Sequence, residues 1–161
     1  MGLNHDFILL DAETDGTWSV GRFIRDPRAV HLHDDVVGYL WDTLMWIPTL
    51  NPATGERGLG LNRWGPTAIE KDGAEIAAAV FSSWAQIFSL GPDPLDLKGP
   101  YVLEGFATSQ DNPDSPPKID GHYERLNIDR GVLLETLNQL SGWCARISTT
   151  NAREYLFHGG I

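Results

Sequence analysis

Residues 58–92 read GLGLNRWGPTAIEKDGAEIAAAVFSSWAQIFSLGP, and this stretch decides the fold. Its second half predicts an amphipathic helix, because apolar residues recur at spacings of three and four. They are Ile76, Ala77, Val80, Phe81, Trp84, Ile87 and Phe88. Asp72 is the predicted N-cap and Glu75 completes a capping box, whereas Gly91 is expected in a left-handed C-cap conformation before Pro92. We expect this helix to lie across a sheet as the main element of the core.

A second helix is predicted to follow Asp129, because an apolar stripe with alternating spacings of four and three begins there. The stripe consists of Leu133, Leu137, Leu140, Cys144 and Ile147. Ile128 and Leu133 are placed to form a hydrophobic staple at its start. On this stripe Cys144 is interpreted as a small buried apolar residue rather than a reactive thiol. Helical spacing also predicts a third helix from about Asp35 to Trp46, ending before Pro48.

Short apolar runs predict strands at residues 7–10, 18–24, 101–106, 122–128 and 154–158, with a further strand or irregular hairpin within 58–70. Asp15-Gly16 indicates a tight hairpin turn, and residues 51–55 form a turn cluster. The polar residues 108–118 are expected to form a mobile surface loop between two antiparallel strands. Together these elements predict a single α+β domain over residues 1–161, with an antiparallel or mixed sheet of about five strands and about three helices packed on it.

The composition is that of an acidic globular domain. The 161 residues carry a formal charge of −10, with a pI near 4.7. This charge argues against binding nucleic acid or an anionic membrane, and it favours a basic protein partner. An acidic balance can also serve solubility alone. The single cysteine excludes an internal disulfide, and the N-terminus lacks a basic region followed by a long apolar run, so a cytoplasmic location is expected.

Residues 31–35, HLHDD, are the clearest candidates for metal chemistry. Two histidines two positions apart project from the same face of a strand, and carboxylates follow them. A stable site would need a third or fourth ligand, for which distant candidates are His122, Glu124 and His158. The competing interpretation places the aspartates at a helix cap and the histidines on the exposed segment before it. We therefore expect no metal and no cofactor, and keep His31, His33 and Asp35 as the ligands of the alternative.

Other signatures of catalysis or nucleotide binding are missing from the sequence. The glycines at 58–65 match neither the dinucleotide fingerprint nor a P-loop, which would require Gly-Lys-Ser/Thr. There is no Gly-x-Ser-x-Gly elbow and no cysteine within a recognisable nucleophile motif.

The chain has six tryptophans, which is more than the packing of the Trp84 helix requires. Most are expected in the core, and an exposed ring or two on an acidic surface would suit a protein-binding hot spot.

Five short phrases carry a resemblance to a known group of proteins. They are DTLMWIP at 42–48, GLNRWGPT at 60–67, WAQIFS at 84–89, YERL at 123–126 and YLFHGGI at 155–161. With the order of the elements, they resemble small bacterial immunity proteins of polymorphic toxin systems, over the chain from about residue 40 onward. The resemblance implies a non-enzymatic protein that neutralises a cognate toxin by masking its active site or another essential surface.

The acidic charge fits such a role if the toxin domain is basic, because carboxylates can occupy the place of substrate phosphates. The residues expected to contact the partner are Asp34, Asp35, Asp42, Asp111, Asp114 and Trp143. Two alternatives remain open at this point. One is a small metal-dependent hydrolase that uses His31 and His33 with nearby carboxylates, and the other is a structural or assembly subunit, which the tryptophan count suggests.

Overall fold

The computed structural model describes residues 4–15, 26–107, 118–150 and 153–161, in which the chain forms eight strands and four helices. In chain order these are β1 (Asn4–Asp11), β2 (Val30–His33), α1 (Asp34–Tyr39), α2 (Trp41–Leu44), β3 (Pro48–Leu50), β4 (Arg57–Leu59), β5 (Pro66–Ile69), α3 (Lys71–Ser89), β6 (Leu95–Ala107), β7 (Lys118–Ile128), α4 (Arg130–Thr149) and β8 (Glu154–Gly159). The predicted single α+β domain with antiparallel pairing is confirmed, with more strands than expected.

Six of these strands form one antiparallel sheet in the order β2-β1-β8-β5-β3-β4. Strand β8 is central, because it pairs with β1 on one side and with β5 on the other. The register sets Phe7 opposite His158 and Leu9 opposite Leu156. Residues far apart in the sequence thus become neighbours in the middle of the sheet.

Helices α3 and α4 pack against each other and against one face of the sheet, as their apolar stripes predict. The residues at the centre of this core are fully or almost fully buried: Phe7, Ile69, Phe81, Trp84, Leu137, Leu140 and Leu156. The whole α4 stripe is buried, and burial raises the pKa of the Cys144 thiol to about 12. Cys144 is therefore a core residue whose thiolate is disfavoured.

Strands β6 and β7 form a separate antiparallel hairpin. Leu95, Leu97 and Leu126 at its base pack on the core, whereas Tyr101 and Tyr123 further along are about half exposed. The strand predicted at 101–106 in fact begins at Leu95, because the alternation of Leu95 and Leu97 turns both side chains towards the core. The loop predicted at 108–118 lies almost wholly outside the described residues, as do the strand predicted at 18–24 and its Gly16 turn.

The ends of α3 differ from the prediction. The helix begins at Lys71 with Glu70 as N-cap, so Asp72 is in the first turn and the predicted capping box is wrong. The Asp72 carboxylate instead accepts a hydrogen bond from Arg57 at 2.7 Å. At the other end Leu90 is the C-cap, and Gly91 is not in the left-handed conformation. Among the described residues only Gly55 and Gly60 have positive φ.

Two other predicted elements take a different form. The helix expected from Asp35 to Trp46 is two short helices, because Leu40 leaves the helical conformation with φ −127°. Gly38, which precedes the break, is a weak helix former. Of the two forms predicted for 58–70, the strand is confirmed as β5 and the irregular hairpin is wrong, since β4 pairs with β3 whereas β5 pairs with β3 and β8.

The N-cap of α4 is confirmed and gives a first testable prediction. The Asp129 carboxylate accepts a hydrogen bond from the Val132 amide at 2.9 Å. Replacing Asp129 with Ala should lower the free energy of unfolding by about 1 kcal/mol, since it removes this cap. Asp72→Ala is the matched control in urea unfolding, with an expected loss within about 0.5 kcal/mol because only an exposed ion pair is removed. Equal losses for the two variants would contradict this assignment of the caps.

Candidate functional site

The most unusual feature of the interior is a pair of buried histidines, His5 on β1 and His158 on β8. Both side chains are fully buried. They share the helix-covered face of the sheet with Phe7 and Leu156, because residues two apart in a strand point the same way. The His5 Nδ1 and His158 Nε2 atoms are 2.8 Å apart, and the two rings are stacked with centroids separated by 5.1 Å. The pair therefore forms one hydrogen-bonded unit.

This unit continues outward through Asp34 to Arg63. The other ring nitrogen of His5, Nε2, lies 2.9 Å from Asp34 Oδ1 at the start of α1. Arg63, in the connection between β4 and β5, donates from Nε to the same oxygen at 3.1 Å and from Nη2 to Asp34 Oδ2. Side-chain exposure rises from 0% at His5 to 12% at Asp34 and 42% at Arg63. The histidine–carboxylate network, defined as His158, His5, Asp34 and Arg63, thus runs from the core to the surface.

The proton positions in the network follow from its geometry and burial. Burial alone would raise the pKa of Asp34, but hydrogen bonds from Arg63 and His5 outweigh it and keep the pKa below its usual value. Burial lowers the pKa of His5, and it lowers the pKa of His158 to about 3, with a smaller contribution from His5. Near neutral pH both rings are therefore uncharged and Asp34 is ionised.

An ionised carboxylate can only accept, so the single proton of neutral His5 lies on Nε2. His5 Nδ1 must then accept a hydrogen bond from His158 Nε2–H. This leaves His158 Nδ1 as a bare lone pair, and that atom is buried without a partner among the described residues. An additional proton on the pair would turn His158 Nδ1 into an unsatisfied buried donor.

The network is poorly placed for catalysis. A general base must reach the proton it abstracts, and both imidazoles are sealed from solvent. A cavity of about 310 Å³ lies between α1 and the start of β6. Of the network, only Asp34 and Arg63 line this cavity, and Asp35, Tyr39 and Lys98 are among its other lining residues. We therefore interpret the histidine–carboxylate network as the support of a surface rather than as a reaction centre.

A group of exposed apolar side chains includes Trp64, the neighbour of Arg63, and we call this group the aromatic surface. It consists of Met45, Trp46, Leu59 and Trp64, whose exposed fractions are 40%, 63%, 66% and 72%. They come from two segments that pack together, since the Gly60 amide donates to the Ile47 carbonyl at 2.8 Å and the Met45 side chain lies against Gly60. An added Cβ at Gly60 would lie 2.6 Å from Met45 atoms, and φ is +85°, so both contact and conformation favour glycine there.

The guanidinium of Arg63 joins this surface to the network beneath it. Its central carbon lies 5.8 Å from the Trp64 ring centroid and 5.9 Å from that of Trp41. The Trp41 ring, in turn, lies 6.0 Å from that of His5. The two distances from the Arg63 guanidinium are within the range of cation–π attraction. Asp34 thereby fixes an arginine between an exposed and a half-buried tryptophan.

The histidines of the alternative metal site lie on β2 and do not converge. His31 contacts Asp6 at 2.6 Å, and His33 contacts Asp35 at 3.5 Å. The distant candidate His122 instead contacts Glu104 on the hairpin. In the described part of the chain no group of three or more His, Cys, Asp or Glu side chains could hold a metal ion. The geometry therefore gives the hydrolase alternative no specific support.

The residues expected to contact a partner have different environments. Asp42 is exposed on α2, next in sequence to Trp41. Asp34 is largely buried and bonded inside the chain, and Asp35 is half-buried beside His33. Trp143 is half-buried on α4, where it lines a cleft with Arg28. The remaining two, Asp111 and Asp114, lie outside the described residues.

Sequence reasoning missed His5 and Arg63, and it named His158 only as a distant candidate for a metal site. A signal for the histidines existed, because each occupies the apolar face of a strand with period two, beside Phe7 or Leu156. A histidine in that position indicates a buried, hydrogen-bonded ring. Arg63 carried no such signal, since its role depends on where the connection after β4 returns to α1.

Comparison with protein families, with curated proteins and with solved structures finds no match to this chain. Among the described helices, none has the length and apolar character needed to cross a bilayer. The described residues form an α+β domain with a buried histidine–carboxylate network and an exposed aromatic surface.

Proposed function

We propose that this protein is a non-enzymatic binding module that binds and neutralises a protein partner through its aromatic surface. The observation that carries the proposal is the exposure of Trp46 and Trp64 on two segments that pack together. Single exposed apolar residues are ordinary, but four from adjoining segments, two of them tryptophans, are unusual for a free surface.

The chemistry of the surface is that of an interaction hot spot. Tryptophan, tyrosine and arginine dominate such sites, and truncating one to alanine costs about 2 kcal/mol or more of binding free energy. Arg63 is already fixed by Asp34 between two tryptophan rings. A side chain that is held before binding loses less conformational entropy when the partner arrives. The largely buried members of the network, His158, His5 and Asp34, therefore support affinity by fixing Arg63.

Charge indicates the kind of partner. With a net charge of −10 the chain attracts a basic protein and speeds their encounter. Asp42 is exposed on α2, the helix that also contains Trp41 and ends just before Met45. Together with the sequence resemblance, this charge favours a bacterial immunity protein that masks the active or essential surface of a basic toxin domain in the cytoplasm.

The proposal is tested by affinity capture from the native cell extract with four immobilised forms of the protein. These are the wild type, Trp46→Ala, Trp64→Ala and Leu90→Ala. Leu90 is the matched control, because it is an exposed apolar residue (88%) at the end of α3, outside the aromatic surface. We expect one stoichiometric, basic partner on the wild type and Leu90→Ala, released by high salt.

Each tryptophan variant should bind that partner at least about 30-fold more weakly than wild type, because a hot-spot residue contributes about 2 kcal/mol or more of binding free energy. Their unfolding free energies should stay within about 0.5 kcal/mol of wild type, because both rings are largely exposed. A partner that binds Trp46→Ala and Trp64→Ala as well as wild type would overturn the proposed surface.

A further inference from the structure

The histidine–carboxylate network contains one negative charge, and it is on Asp34. Asp34 accepts hydrogen bonds from both His5 and Arg63, and the same oxygen, Oδ1, receives one from each. Near neutral pH Arg63 is the only cation of the network, so the charges balance. Arg63 is also the only member that can move into water, since His5 and His158 are sealed and Asp34 is 12% exposed.

A proton taken up by the histidine pair changes this balance. His5 would then carry protons on both nitrogens, and its Nδ1–H would donate to His158 Nε2. His158 would have to keep its own proton on Nδ1, which is buried without a partner among the described residues. Two cations would now compete for Asp34, leaving a net positive charge in a site of low dielectric constant.

We propose that the His5–His158 pair is a proton sensor for the aromatic surface: uptake of a proton makes His5 the counter-ion of Asp34 and releases Arg63 into solvent. Once released, Arg63 no longer lies between Trp41 and Trp64. The surface then loses the fixed guanidinium at its base. The consequence for the partner, weaker binding in acid, rests on the proposed function, whereas the release of Arg63 does not.

The charged and titratable groups that face the pair come from three elements. They are Asp34 on α1, Arg63 in the connection after β4, and Asp6, which acts on His5 along β1. Asp34 and Asp6 favour a proton on His5, while burial and Arg63 oppose it. Burial and the neighbouring His5 oppose a proton on His158. Burial outweighs the other effects and lowers the pKa of His5, so we expect the transition in acidic solution, below the ordinary value for histidine.

The test is a pH titration of the isolated protein by NMR, which needs no partner. The Nε–H signal of Arg63, assigned with Arg63→Lys, reports its hydrogen bond to Asp34. The indole N–H signals of Trp41 and Trp64, assigned with Phe variants, report whether the Arg63 guanidinium lies beside the two rings. We expect all three to shift with one midpoint, shared with the His5 ring, while the amide signals of the core helices α3 and α4 remain native.

Two variants complete the experiment. His5→Gln keeps a donor towards Asp34 but removes the titrating ring, so the Arg63 signal should persist to lower pH. His31→Gln is the matched control, because His31 forms an exposed pair with Asp6 and contacts neither Arg63 nor Asp34; it should titrate like wild type. The proposal is overturned if the Arg63 signal changes only when the core unfolds, or if His5→Gln shows the same transition as wild type.

Discussion

Asp34→Ala is expected to lower the free energy of unfolding by about 3 kcal/mol. The substitution leaves the buried Nε2–H of His5 without its acceptor and removes both hydrogen bonds to Arg63. An unsatisfied buried donor costs about 1–3 kcal/mol, and a hydrogen bond to a charged group contributes about 1.5–3 kcal/mol. The loss stays below the sum of these effects because Arg63, whose side chain is 42% exposed, can be solvated instead.

Urea unfolding of three variants separates the causes. Asp34→Asn keeps an oxygen for the His5 proton but no charge for Arg63, so its loss should fall between wild type and Asp34→Ala. Asp6→Asn is the matched control, because it removes a carboxylate from the half-exposed His31, where an ion pair contributes at most about 1 kcal/mol. If Asp34→Ala were no more destabilising than Asp6→Asn, the network would not be a structural support.

Acid is expected to destabilise the fold well before its carboxylates are fully protonated. The pKa of His158 is about 3 in the folded state against 6.5 in an ordinary histidine. Between these values the unfolded chain binds a proton that the native chain does not, so stability rises with pH across this window and falls as the solution is acidified. From pH 7.5 to 4.5 the loss for this one group is on the order of 2–3 kcal/mol, because each pH unit within the window costs about 1 kcal/mol or slightly more.

Other members of the network act in the same direction. The pKa of His5 is also lowered, so His5 adds to the loss of stability below pH 6.5. The pKa of Asp34 is lowered as well, but Asp34 adds to the loss of stability only when the pH falls below its ordinary value of 3.8. Urea unfolding measured at half-unit steps of pH gives the slope. His158→Gln should reduce the slope between pH 6.5 and 4.5, whatever its stability at neutral pH. A wild-type stability that stays constant from pH 7 to 5 would contradict the burial of neutral histidines.

Much of the fold could be predicted from local pattern. The α4 stripe, the Asp129 cap and the strands at 7–10, 122–128 and 154–158 are set by short-range spacing, and the structure confirms them. The ends of α3 could not be predicted in the same way. Asp72 is a good N-cap residue in isolation, but Arg57 from β4 takes its carboxylate. A contact between distant segments overrides local preference there.

The site was less accessible from the sequence, because each of its members comes from a different element. His5, Asp34, Arg63 and His158 are brought together only by the position of β8 beside β1 and by the return of the chain after β4. The histidines of the HLHDD segment indicated a candidate metal site, whereas the residue of this segment that belongs to the network is Asp34. The exposure of Trp46 likewise depends on tertiary packing, since this tryptophan occurs within the apolar sequence at 44–47.

The most direct test of the central claim is a calorimetric titration of the captured partner domain with wild-type protein and with Trp64→Ala. We expect a single binding event with one partner per chain for wild type, weakened about 30-fold or more by the substitution. Because the ring is 72% exposed, the fold of the variant should be unchanged. Equal affinity of the two proteins for the partner would contradict the account and would place the binding site elsewhere on the molecule.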